Sequence, residues 1–259
     1  MAHPAEQRRQ EKTIVPESVF NAFLDANMKY PQSVPGIVAY VGKAFWESGL
    51  SPQEFARTEL SDNQVRTLGN AMDSIHQEVG VRQFSENHVS DKKKITIPKE
   101  RLQGIWIEFR LMTLLVSIGY SEIASGYWST TPDFMNNTEG ALAYRAELFR
   151  NHEKLAAILD ELLAKDEKLI PELKTLFGIF VDVLDDPPVA KQYEKLHSLL
   201  DFRNTTVFVR VIRRIRRNRM RLRLQIEFSK AAHKRMRANK SLRGKFWSWE
   251  TFIVKTGLG

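Results

Sequence analysis

The chain contains no cysteine. That absence excludes disulfides and thiolate metal sites, and it suits a reducing compartment. Glycine-rich phosphate loops are missing too: there is no G-x-x-x-x-G-K-[ST] and no G-x-G-x-x-G, and no G-x-S-x-G elbow. The usual ATPase and serine hydrolase classes therefore have no motif to stand on. The six histidines show no zinc spacing, so neither a metal nor a cofactor is expected. Long apolar runs are lacking as well. "LMTLLVSIGY" and "LFGIFV" are too short to span a bilayer. No apolar segment follows the polar start "MAHPAEQRRQEK", so no secretory signal is read there. The expectation is a soluble, cytoplasmic protein.

What is present is an ordinary globular composition with an uneven charge. The chain has 259 residues, 42% hydrophobic and 27% charged, enough to bury a substantial core. Residues 205–259 hold 16 basic residues against Glu227 and Glu250, a net charge of +14. Residues 1–204 hold 23 basic and 29 acidic residues, a net charge of −6. An acidic body thus carries a strongly basic end.

Helix signals fill the body. In "PESVFNAFLDANMKY", Pro16 suits a helix start, and Val19, Phe20, Phe23 and Leu24 make an apolar stripe. Ile37, Val41, Ala44 and Phe45 make another, with Gly49 as its stop. "SPQE" at 51–54 and "SDNQ" at 61–64 read as capping boxes. Pro98 opens a segment in which Leu102, Ile105, Trp106, Phe109, Met112 and Val116 form a wide apolar face, which predicts a central helix. Further helices are expected from about 138 to 165, from Pro171 to Leu184 and from Pro188 to about 202. The predicted divisions are an N-terminal helical region (1–80), a linker or exposed loop (81–97), a helical bundle (98–204) and a basic lobe (205–259).

The basic lobe reads as a β-hairpin followed by a helix. Met220, Leu222, Leu224, Ile226 and Phe228 alternate with polar residues, as a half-buried strand requires. Asn218 is the turn candidate. The rival is one long basic helix, since arginine has good helix propensity and no Gly or Pro interrupts 189–243. A short final strand is read in "GKFWSWETFIV". The fold class is therefore mainly α, a multi-helix body with a small C-terminal β element.

Guanidinium groups suit phosphate because their planar fork donates two parallel hydrogen bonds. Arg210, Arg213, Arg214, Arg216, Arg217, Arg219, Arg221 and Arg223 would repel one another unless an anion sat among them. Lys230, Lys234, Arg235, Arg237 and Lys240 extend the patch. Together they predict a surface that tracks a nucleic-acid backbone, a chemistry common to RNA and DNA. The bland reading is a solvated face or pairing with the acidic body. Trp247 and Trp249 are candidates for base stacking, although Phe246, Trp247, Trp249 and Phe252 together suit the packed core of a small sheet better.

One catalytic pattern competes. In "YRAELFRNHEKLAAILDEL", Arg145 and His152 stand seven apart on one predicted helix. The spacing R-x6-H within a helical bundle resembles the HEPN ribonucleases. The resemblance covers this one helix, and Ala146 replaces the polar residue that usually follows the arginine. It implies metal-independent RNA cleavage by Arg145 and His152 brought together across a dimer. Read from the residues alone, His152 lies on the stripe of Leu148, Leu155, Leu159 and Leu162 and suits a core position.

The leading expectation is a non-enzymatic, nucleic-acid-binding subunit or adaptor, with other protein subunits meeting the helical body. The alternatives are a HEPN-like RNase and an interaction protein whose basic end meets an acidic protein or an anionic membrane surface.

Overall fold

The computed structural model describes residues 13–31, 33–78, 97–124, 151–199 and 207–242. Among these the fold is mainly helical. The helices are α1 (Glu17–Lys29), α2 (Val34–Ser48), α3 (Pro52–Ala56), α4 (Asp62–Glu78), α5 (Lys99–Ala124), α6 (His152–Lys165), α7 (Leu169–Val183), α8 (Pro187–Ser198) and α9 (Val207–Ala238). Two short strands, β1 (Thr13–Ile14) and β2 (Thr58–Glu59), pair in parallel with Thr13 opposite Thr58 and Ile14 opposite Glu59.

The expected punctuation operates. Ser51 and Glu54 form a complete capping box on α3. Ser61 and Gln64 do the same for α4, through Ser61 N to Gln64 Oε1 at 2.9 Å and Gln64 N to Ser61 Oγ at 3.2 Å. Gln64 Nε2 also donates to the Val15 carbonyl at 2.8 Å, which ties the chain after β1 to α4. Gly49 closes α2 in the left-handed region, with φ 76°.

The central element is α5. Leu102 and Trp106 are buried, and so is every residue from Phe109 to Ser121. A helix apolar around its circumference must be surrounded, and α2, α3, α4, α6 and α7 all pack on it. By length and composition Lys99–Glu122 would pass for a membrane span, but most of it is buried in the body. Phe23, Phe45, Phe55 and Trp106 form an aromatic cluster at its N-terminal half, with Phe45 stacked on Phe55 at 4.0 Å and Phe23 edge-on to Trp106 at 5.2 Å.

The structure corrects two expectations. Residues 207–229 do not form a β-hairpin: they belong to α9, a continuous helix of 32 residues. Alternation in 220–228 loses to a stripe at spacing four, in which Leu224, Phe228, Ala232 and Met236 are all buried while Leu222 is 48% exposed. The helix expected from 138 to 165 does not run through as one piece, because Asn151 has non-helical φ −131° and ψ 80° and accepts from Lys154 N as the cap of α6. Residues 138–150 with Arg145, all but the last residue of the expected linker at 81–97, and the expected final strand with Trp247 and Trp249 lie outside the described residues.

One glycine sets how closely α2 and α7 approach. A Cβ on Gly42 would overlap the Phe177 ring, and Phe177 is fully buried. Gly42→Ala should therefore destabilise the fold by about 1–3 kcal/mol through overpacking. Urea unfolding checks this. Phe177→Leu, costly alone, should cost less in the Gly42→Ala background, and strict additivity of the two would contradict the contact.

Candidate nucleic-acid interface

Helix α9 carries most of the predicted basic residues. Its arginines are good helix formers, and no Gly or Pro interrupts it. Its C-terminal half lies on α7 and α8. Phe228 meets Phe180 of α7 edge-on at 5.5 Å. Asp186, the N-cap residue of α8, forms an ion pair with Arg235, and that hydrogen bond holds the Arg235 guanidinium above its ordinary value.

The opposite side of α9 faces outward. Arg216, Arg219, Arg223, Lys230, Lys234 and Arg237 are all exposed. Their spacings place them within an arc of about 60° at 3.6 residues per turn, along about 32 Å of helix axis. The stripe of Leu224, Phe228, Ala232 and Met236 falls on the other side of the same helix. The six cations thus form one ridge directed away from the body. Glu227 offsets part of it by pairing with Lys230 at 3.2 Å.

The remaining predicted residues are placed differently. Arg213, Arg217 and Arg221 are half-buried on the flank nearer the body. Burial pushes the Arg221 guanidinium below its usual value, and the neighbouring Arg217 charge adds to this. Arg235 is committed to Asp186. Lys240 is exposed in the turn after α9. Arg210 and Arg214 lie within the helix, with side chains outside those described. The ridge was hidden from the sequence by the strand reading, which groups Arg221 with Arg223; helical geometry separates these two and joins Arg223 to Arg216 and Arg219.

His152 occupies the first position of α6, half-buried at the end of the stripe that the buried Leu155, Leu159 and Leu162 continue. Its Nδ1 lies 3.0 Å from Nη2 of Arg110. Arginine can only donate, so Nδ1 accepts and the ring is held with its proton on Nε2. Arg110 itself was missed: it is 6% exposed within the apolar run of α5. Its Nη1 donates to the Thr58 carbonyl, which also accepts from Trp106 Nε1 at 3.1 Å. Its Nε is buried without a hydrogen-bond partner. Burial lowers this guanidinium to about 10, with Glu59 pulling the other way. An arginine inside an apolar helix run was the available signal.

Elsewhere, Lys29, Tyr193, Glu194, His197 and Ser198 line an open cleft of about 320 Å³. Burial raises the Tyr193 phenol, whose hydroxyl donates to the Lys29 carbonyl at 2.6 Å. Among the described residues, no three His, Asp or Glu side chains converge as metal ligands.

Because Arg110 bonds to neutral acceptors, Arg110→Met should leave the unfolding free energy within about 1 kcal/mol of wild type, or raise it. The Thr58 carbonyl keeps its bond from Trp106. A loss of about 3 kcal/mol or more in chemical denaturation would instead show that the nearby Glu59 carboxylate acts as a true ion-pair partner. No family model, curated protein or solved structure matches this chain.

Proposed function

We propose that the protein is a non-enzymatic nucleic-acid-binding subunit or adaptor, with α9 as its phosphate-binding ridge. The observation that carries this reading is the outward line of Arg216, Arg219, Arg223, Lys230, Lys234 and Arg237 on one face of a helix docked by the other. No acidic residue occurs from 207 to 226, so the N-terminal half of the ridge has no counter-charge of its own along the helix. Like charges at helical spacing cost stability, and a polyanion lying on the ridge removes that cost. Each neutralised phosphate releases a condensed counterion, which makes binding strongly salt-dependent. The body serves as the platform that presents the ridge and meets other subunits.

Arg216, Arg219, Arg223 and Lys234 are the four exposed cations counted on phosphate. Log K against log salt should then fall with a slope of about −3 on single strands and −3.5 on duplex. Arg216→Ala/Arg219→Ala/Arg223→Ala should flatten the slope by about 2–3. Arg235→Ala should leave it unchanged, because that charge is already bound to Asp186. Fluorescence anisotropy with labelled oligonucleotides measures all three. An unchanged slope in the triple variant would move binding off this ridge. RNA cleavage in EDTA by the wild type, lost in folded His152→Ala, would replace this reading with the ribonuclease one.

A further inference from the structure

The outward side of α9 carries two large apolar side chains that phosphate binding does not use. Ile215 is 52% exposed and Leu222 is 48% exposed. They are seven residues apart, close to two turns, so they lie on the same side of the helix about 10.5 Å apart. Exposed Arg216, Arg219 and Arg223 border them. None of the described side chains from Arg213 to Arg223 is buried, whereas Leu224 and Phe228 on the opposite side are docked on the body. The pair therefore lies beside the cationic ridge, about 40–60° around the helix from its near edge, with Arg219 closest and the docked stripe on the far side.

We propose that this half of α9 docks flat on an anionic lipid surface. Ile215 and Leu222 enter the boundary between headgroups and acyl chains, and Arg216, Arg219 and Arg223 take lipid phosphates, their stems lying along the apolar layer. This goes beyond the nucleic-acid reading. A nucleic-acid backbone offers phosphate without an apolar layer beneath it, and a bilayer surface offers both within a few ångströms. A second copy of the ridge would set arginine against arginine. A protein partner would need a groove to receive the convex face and acids on each side of it.

The test uses the full chain and sedimentation with vesicles of phosphatidylcholine and phosphatidylglycerol at three to one, or phosphatidylcholine alone, near physiological salt. The wild type should pellet with the anionic vesicles and stay in solution with the neutral ones. Ile215→Gln/Leu222→Gln should weaken vesicle binding by about tenfold or more. Both positions are exposed, so the variant should keep its helical circular dichroism and its oligonucleotide affinity. The proposal is overturned if the wild type ignores anionic vesicles, or if the double variant binds them as tightly as wild type. It is also overturned if the variant loses oligonucleotide affinity and keeps vesicle binding. Vesicle binding that depends on Ile215 and Leu222, without any oligonucleotide binding, would support this proposal and remove the nucleic-acid reading.

Discussion

Leu224, Phe228, Ala232 and Met236 hold a helix dense in positive charge against the rest of the molecule. Burying side chains such as leucine, phenylalanine and methionine contributes about 1.5–3 kcal/mol each. Against this stand like-charged pairs four apart, Arg213 with Arg217, Arg217 with Arg221 and Arg219 with Arg223, each costing a few tenths of a kcal/mol. The apolar stripe is the larger effect, so the cationic face can persist as an ordered surface. Its orientation also follows from the stripe. With Phe228 against Phe180, the line from Arg216 to Arg237 has no direction left but outward.

The body answers the basic helix by packing and, at Arg235, by charge. Asp186 stands at the N-cap position of α8, but its carboxylate grips Arg235 instead of the helix's own backbone N–H groups, which ties α9 to its platform. The platform is itself positioned by α5, whose buried length supports α2 and α7. Two polar pairs inside that core are well made. Trp46 Nε1 donates to Ser117 Oγ at 3.2 Å, and Tyr120 donates to the buried Glu172 carboxylate at 3.0 Å. Paired polar groups of this kind restrict how neighbouring helices can slide.

Local signals were legible because their partners lie within one turn. The boxes Ser51–Glu54 and Ser61–Gln64 and the stop at Gly49 need no tertiary information. The central role of α5 was also legible, since an apolar circumference admits few other placements. Strand β1 was not, because two residues carry no periodicity. The basic region was misjudged for a definable reason. Met220, Leu222, Leu224, Ile226 and Phe228 fit a period of two, and the stripe that decides for helix becomes visible only when Ala232 and Met236 are included. An isolated hairpin would also need further strands for stability. The link from Asp186 to Arg235 joins residues distant in sequence and leaves no local pattern, whereas the burial of Arg110 left one, an arginine within the apolar run of α5. The cationic residue types could be read from the sequence; which of them share a face could not.

The cationic ridge depends on the helical phase of α9, and the absence of native cysteine makes that phase directly measurable. Single cysteines placed in turn at positions 216 and 219 through 228 can be timed for reaction with a thiol reagent under native conditions. Fast reaction at 216, 219 and 223, with protection at 224 and 228 and ready access at 222, is the expected result. Protection at 220, 222, 224, 226 and 228, with reaction at the residues between them, would restore a strand and contradict the ridge.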